Sequence, residues 1–277
     1  MEIYANILED SIGVDGERLT TLEICLPKCL LAEFNTHRVF SRNFSSSRAI
    51  PVNRVNAIEN VFIPLMYGEN QSGMQAKDVE IEGAEEAHKI WMDAIEYCRN
   101  AAKRLNELKL HKQWANRVTD WSAMAVGVVS ATEFGNFFNL RDHRDAQPEM
   151  ALLAVKARTA MENSTPKKLS FGEWHLPYIT DDDRAAFPME DLIRISAARC
   201  CRVSYLNHDG KKSTYADDMT LFNRLAGSFP PHMSPLEHQA MYVGRNMQCF
   251  NLRGFASHRW MFETNMLANC IGKLESR

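Results

Sequence analysis

The densest group of chemistry-bearing side chains is "FNTHRVFSRNFSSSRAIP", Phe34 to Pro51. It holds Arg38, Arg42, Arg48, His37 and four serines, with no acidic residue. Arg38 and Arg48 offer rigid forks of N–H donors that match phosphate or carboxylate. Ser45, Ser46 and Ser47 add hydroxyls, and in a turn their backbone N–H groups can converge on one anion. A serine-rich turn beside an arginine therefore suits a nucleotide monophosphate. The same residues also suit a solvated basic loop or a nucleic-acid patch, and residue types alone leave all three open.

A second group is "NFFNLRDHRDAQPEM", residues 136–150. Asn136 and Asn139 would share a helix face, and two side-chain amides can read the edge of a heterocycle. Arg141 follows directly, and the bland alternative is a helix end with local ion pairs. In "SPLEHQA" (234–240), Glu237 and His238 are adjacent. On a strand they would point to opposite faces and form no local dyad, so His238 reads as structural on residue type alone.

Other chemistries lack their patterns. There is no GxSxG elbow for a serine hydrolase, no Walker loop and no GxGxxG, so a dinucleotide would not sit on a Rossmann unit. Seven cysteines lie at 25, 29, 98, 200, 201, 249 and 270 without a CxxC pair. The odd count argues against a closed disulfide framework, and the spacing fits no zinc site, so no metal is expected. A phosphate-ester hydrolase would need such a metal cluster.

The elements that must position these groups read as α+β in one domain of 277 residues. "LTTLEICLP" (19–27) alternates as a strand, and "AEEAHKIWMDAIEYCRNAAKRLNELKL" (84–110) is the clearest amphipathic helix. "DWSAMAVGVVSATEFGNFF" (120–138) is apolar nearly all round, so it is a buried helix or a buried strand, and its length favours a helix. Residues 147–164 form a helix with Pro148 in its first turn. "STPKKLSFGEWHLPYIT" reads as a Pro-broken loop. "DLIRISAARCCRVSY" is a helix or a strand, and a helix starts after Thr214. "FNLR" occurs at 138–141 and again at 250–253, a weak internal echo that makes Arg253 a rival to Arg141.

A net charge of −3 argues against a general nucleic-acid binder. No apolar run reaches the length of a membrane span, and "MEIYANILED" lacks a signal-peptide pattern, so a cytoplasmic protein without membrane partners is expected.

Taken together, these segments resemble the flavin-dependent thymidylate synthases. That family carries a signature of the form RHRxxSxNExSxRY. His37, Arg38, Ser41, Asn43, Ser46 and Arg48 fall on it, while Thr36, Phe44 and Ala49 replace its first arginine, its glutamate and its final tyrosine. Asn136, Asn139-Leu140-Arg141 and Ala146-Gln147-x-Glu149 match a second family segment, and "HKQWANR" (111–117) looks like the basic segment before it. The family's "ARVS"-like and "PFEH" segments normally come first. Here "ARCCRVSY" (198–205) and "SPLEH" (234–238) come last, so the chain reads as circularly permuted, an order associated with phage-encoded homologues.

The resemblance implies an antiparallel sheet flanked by long helices. It also implies one-carbon transfer to C5 of dUMP: FAD supplies hydride, methylene-tetrahydrofolate the carbon, and NADPH the reducing power. By position, Arg48 with Ser46 and Ser47 would hold the dUMP phosphate. Arg141 would contact the pyrimidine, with Arg117 a further substrate-side residue. His37, Arg38 and Asn136 would hold the flavin, and Ser204 and His238 would line the flavin and folate side. The family is usually tetrameric with shared sites, so a homotetramer is expected. The product is dTMP, or 5-hydroxymethyl-dUMP if water replaces hydride at the last step. A non-catalytic nucleic-acid-binding module built on 34–51 is the alternative of another class. It predicts a colourless protein, whereas the flavin reading predicts a yellow one.

Overall fold

The computed structural model describes residues 2–55, 57, 60–203 and 210–265. Two strands open the chain, β1 (Tyr4–Gly13) and β2 (Arg18–Pro27), paired antiparallel with Tyr4 opposite Cys25. Gly16, at φ +89°, makes the turn between them, a backbone position that favours glycine. β3 (Ser41–Phe44) and β2 flank β4 (Met124–Ala131), and β5 (Lys167–Leu169) runs parallel to β1. The sheet order is β3-β4-β2-β1-β5, which leaves β3 as an edge.

The helix expected over 120–138 is not formed. Residues 124–131 are strand β4, and α5 (Gly135–Arg141) begins only after a turn. The run is apolar on every side because β4 is central and covered on both faces, and its β-branched valines suit that position. Length was a poor guide because the run holds two elements. The loop expected at 164–180 also contains strand, β5 and β6 (Trp174–His175).

Alternation along the strands sorts side chains to two faces. Thr21, Glu23 and Cys25 of β2 stand opposite Ser130, Val128 and Val126 of β4, and Ser41 and Asn43 of β3 continue two of those rows. This face is covered by α8 (Met189–Arg202): Asn43 Nδ2 donates to the Cys200 carbonyl at 2.9 Å, and Val128 packs with Tyr178, Cys200 and Val203. The other face carries Leu22, Ile24 and Val129. It packs against Phe34 of α1 (Leu31–Phe34), Phe137 of α5, and Met150 and Leu153 of α6 (Pro148–Glu162). Phe44 lies on this second face, edge-on to Phe34 and over Gly127, where a Cβ would collide with its ring.

α2 (Val52–Val55) and α3 (Ala84–Glu107) follow β3. The stripe expected on α3 divides. Ile95 and Ala102 are buried, and Trp91 donates to the Phe62 carbonyl at 3.0 Å, whereas Ile90 and Tyr97 are exposed. A short α4 (Lys112–Ala115) precedes β4.

In the second half, α7 (Asp181–Ala186) and α9 (Tyr215–Ala226) each start with a capping box, Thr180 with Asp183 and Thr214 with Asp217. The segment 191–205, open between helix and strand from the sequence, is α8 as far as Arg202, and 204–205 fall outside the described residues. β6, β7 (Ala240–Tyr242) and β10 (Phe255–Ser257) form a small antiparallel sheet, with β8 (Gln248–Cys249) and β9 (Leu252–Arg253) as a separate hairpin. Among the described residues no helix is long and apolar enough to cross a membrane.

Candidate active site

After Phe44 the chain turns across the sheet end, with Ser45 N donating to the Val126 carbonyl at 2.8 Å. The turn is clamped from below. Asn116 Nδ2 donates to the carbonyls of Ser47 (2.7 Å) and Ile50 (3.0 Å), and Lys112 Nζ donates to that of Ala49 (2.7 Å). Lys28 Nζ donates to Ser47 Oγ (3.1 Å) and Asp120 Oδ1 (2.6 Å), and Asp120 also accepts from Arg117 (2.7 Å). Ser47 and Arg117 are thus tied to Asp120, and Ser47 is buried, while Ser46 and Arg48 stay exposed above the turn.

Beside Ser46 opens a cleft of about 750 Å³, whose polar lining includes Ser45, Ser46, Arg54, Arg202 and Arg224, with the Asp217 carboxylate also on its wall. It shares Ser45, Ile50, Arg54 and Arg202 with a second chamber of about 580 Å³ that reaches Tyr4, Glu23 and Val126. Arg54 comes from α2, Arg202 from the last turn of α8 and Arg224 from α9. The Arg202 side chain is 8% exposed and pairs with Asp218, yet its Nε has no partner among the described residues. Three guanidinium groups beside two serines suit a phosphate or diphosphate. At the floor, Glu23 accepts from Tyr4 (3.0 Å) and from Tyr178. Burial first, then the Glu23 charge, push both phenols far above their ordinary range, so they remain donors.

The other predicted group lies across the sheet. Arg141 Nε donates to His37 Nε2 at 3.1 Å. His37 is wedged among Phe34, Phe40 and Phe137, its ring edge-on to Phe137 at 5.0 Å. Burial, then the charges of Arg141 and Arg42, lower its pKa to about 4. The ring is therefore neutral, accepts at Nε2 and carries its proton on Nδ1. Arg38 and Asn136 are exposed.

The structure thus brings His37 and Arg141 together on the α5 face, and it brings Ser46 together with Arg54, Arg202 and Arg224 on the α8 side. β3 lies between the two groups, and among the described residues neither chamber beside Ser46 is lined by His37 or Arg141. His238 lies at neither. It follows a 3-10 turn over Ser234–Glu237, not the strand assumed from the sequence, and it is fully buried with Nδ1 2.9 Å from Ser130 Oγ. Glu237 turns instead to Arg259. Ser204 falls outside the described residues. Arg253 donates to the Glu17 carboxylate at 3.0 Å, whereas the Arg141 Nε contact is to a neutral ring. Arg54, Arg202, Arg224 and Glu23 were missed. The one sequence signal was a glutamate inside the otherwise apolar second half of β2.

Buried neutral histidines make a pH prediction. Burial is the first cause in lowering His37 and His258 to about 4 and His175 and His238 to about 3, from an ordinary 6.5. The unfolded chain takes up these protons below 6.5 and the folded chain does not, so their stabilisation is present above 6.5 and falls with pH. Glu9 acts in the opposite sense. Burial raises it to about 7 from 4.5, so its contribution is complete below 4.5 and lost as pH rises through 7. Between 4.5 and 6.5 four histidines oppose one glutamate, a net of three protons, or up to roughly 4 kcal/mol per pH unit. Urea midpoints should fall steeply from pH 6.5 to 5, and equal midpoints would contradict the assignment.

A profile of the Thy1 family, thymidylate synthase complementing protein, matches residues 19–167, more than half of the 277-residue chain. The chain belongs to this family. The match spans both the 34–51 and the 136–149 segments and stops before "ARCCRVSY" and "SPLEH". Similar solved structures include the UMP/dUMP methylase PolB from Streptomyces cacaoi bound with 5-Br UMP, at 16% identity and TM-score 0.49, covering 58% of this chain and 89% of that one. Another is thymidylate synthase X (ThyX) from Helicobacter pylori with FAD and dUMP, at 20% identity and TM-score 0.39, covering 52% and 67%. No curated protein matches.

Proposed function

We propose that the protein transfers a one-carbon unit from methylene-tetrahydrofolate to C5 of dUMP, with FAD as cofactor and NADPH as reductant. The observation that carries this is the serine–arginine mouth of the cleft, formed where the family signature ends. Its donors fit the phosphate of a nucleotide and equally the diphosphate of a flavin dinucleotide. Bound flavin supplies the hydride chemistry; the protein's own groups bind, orient and polarise. Ser46 and Arg48 grip phosphate above the turn, with Ser47 holding the turn to Lys28 and Asp120, and Arg117 bracing Asp120. Arg54, Arg202 and Arg224 extend that grip. Arg141, oriented by His37, faces the pyrimidine carbonyl and stabilises charge developing in the ring. Arg38 and Asn136 serve the flavin from the exposed rim.

Because β3 separates these two groups, a complete site takes the phosphate grip from one copy and the His37–Arg141 pair from another. A homotetramer with shared sites provides that arrangement, and the exposed Ile90 and Tyr97 of α3 offer contact surface. The permuted order is supported by packing, since Asn43 of the signature bonds to Cys200 of the late "ARCCRVSY" block.

A second product reading rests on Phe44. Its ring faces the apolar core, so the family's glutamate position presents no carboxylate. Hydride delivery gives dTMP; water at the same carbon gives 5-hydroxymethyl-dUMP. The test is to incubate the protein with dUMP, methylene-tetrahydrofolate and NADPH and weigh the product, after recording its visible spectrum. Protein that stays colourless with added FAD and leaves the mass of dUMP unchanged rejects the proposal, and the mass of one added oxygen separates the two products. Arg48→Ala is expected to weaken dUMP binding roughly tenfold or more, the scale of a lost charge-assisted hydrogen bond, with flavin content preserved. Unchanged dUMP affinity by calorimetry would remove Arg48 from the phosphate grip.

A further inference from the structure

Five buried side chains form one continuous hydrogen-bond chain between the sheet and the second half of the molecule. Ser11 Oγ lies 2.9 Å from His175 Nδ1, and His175 Nε2 lies 2.7 Å from Thr21 Oγ1. Thr21 Oγ1 lies 2.6 Å from Ser130 Oγ, which lies 2.9 Å from His238 Nδ1. All five residues are 0% exposed. They come from β1, β6, β2, β4 and the residue after the 3-10 turn, so sequence position gives no hint of the chain. Burial keeps both rings neutral, with one N–H each.

Counting protons leaves few patterns. Each of the four contacts needs one hydrogen, and each hydroxyl and each neutral ring supplies one. If His175 carries its proton on Nδ1, it donates to Ser11. Thr21 must then donate to His175, Ser130 to Thr21, and His238 Nδ1 to Ser130. His238 Nε2 is left as a bare acceptor. If His175 carries its proton on Nε2, the donors run the other way: Ser11 to His175, His175 to Thr21, Thr21 to Ser130, Ser130 to His238. His238 Nε2 then bears the proton and is a donor. Mixed tautomers either strand the Thr21 hydroxyl hydrogen or set two lone pairs against each other, and an unmade hydrogen bond at a buried group is costly.

We propose that His175 and His238 are a coupled tautomer pair, and that His175, Thr21 and Ser130 are positioning residues that set whether His238 Nε2 donates or accepts. Nε2 is buried and has no hydrogen-bond partner among the described residues, so it is an open end of the chain, with Ser11 at the other end. A carbonyl brought to Nε2 fixes the donor pattern, and an N–H brought there fixes the acceptor pattern. Either choice is transmitted from His238 to His175 through three hydrogen bonds. The coupling itself is independent of the proposed function. Its use by a ligand rests on that reading and requires the fully buried Nε2 to be uncovered first.

The test is imidazole ¹⁵N NMR of the full-length protein labelled at histidine, with His175→Gln and His238→Gln used only for assignment. The two rings should show the same tautomer, with mismatched molecules below about one in ten. Thr21→Ser should preserve the match and Thr21→Val should abolish it. If Thr21→Val does not fold, Ser130→Ala cuts the same chain. Opposite tautomers in the parent protein, or a match that survives either cut in a folded variant, would overturn the proposal. Adding FAD or dUMP separates it from the functional reading. Matched tautomers that ignore both ligands leave the coupling intact and remove His238 from the ligand side, whereas a shift at His238 that His175 does not follow overturns the coupling.

Discussion

Arg199→Met should destabilise the protein by about 3–5 kcal/mol, the usual cost of removing one partner from a buried charge network. The Arg199 side chain is 6% exposed and donates to Asp183 at 2.6 and 3.0 Å, to Asp218 at 3.2 Å and to the Tyr178 carbonyl at 2.7 Å. Methionine fills similar volume, so the loss is electrostatic rather than a cavity. Both aspartates keep other donors: Thr180 caps onto Asp183, and Arg202 and Ser213 reach Asp218. The lower end of the range is therefore the better expectation. Burial works against the charge on Asp183, but Arg199 and Thr180 hold its pKa at about 2, below the ordinary 3.8. Its stabilisation is present above 3.8 and lost as pH falls through 2, and the variant should lose part of that dependence. Arg199→Met with Asp183→Asn should recover some of the loss. The urea midpoint at pH 7 measures each step, and a change under 1 kcal/mol in the single variant would show the network to be unimportant. Since Arg202 sits one turn further along α8 and shares Asp218, the cleft should lose phosphate affinity together with stability.

That network also shows where sequence reading reached its limit. The helix start after Thr214 follows from local pattern, as do α3, α6 and β2, whereas the cap at Thr180 closes a segment that reads as loop. β4 did not, because a strand covered on both faces has no alternation to read. The signature residues were legible as types, and His37 with Arg141 did come together. Their separation from Ser46 was not legible, since it depends on which side of β3 each side chain leaves. Arg54 and Arg224 are unremarkable in sequence and become part of the cleft only because α2 and α9 meet beside the Ser46 turn. Phe44 is the clearest case. Its identity marked a departure from the family, but only the fold shows that the ring turns to the core while Glu23, on the opposite face, brings a carboxylate to the cleft floor.

On the proposed reaction, Arg141→Ala should lower kcat/KM for dUMP by about 10²–10³, the scale of removing one donor that stabilises developing charge. The loss should fall mainly on kcat, because a contact that strengthens as the ring gains charge favours the transition state over bound substrate. Arg141→Lys should recover little. A lysine ammonium has no planar fork and cannot use one nitrogen to hold His37 while presenting two to a carbonyl. His37→Phe keeps the aromatic packing against Phe34, Phe40 and Phe137 but removes the acceptor 3.1 Å from Arg141 Nε. It should reduce the rate by less than Arg141→Ala does, since the guanidinium remains but is no longer held in one orientation. Arg253→Ala is the control for the repeated "FNLR": that arginine is already neutralised by Glu17, so its removal should leave kcat near the parent value. Steady-state kinetics on the four variants, with flavin content measured for each, decide the matter. A large kcat loss with Arg253→Ala and a small one with Arg141→Ala would move the substrate arginine to the β9 hairpin and leave the His37 contact a packing feature of the α5 face.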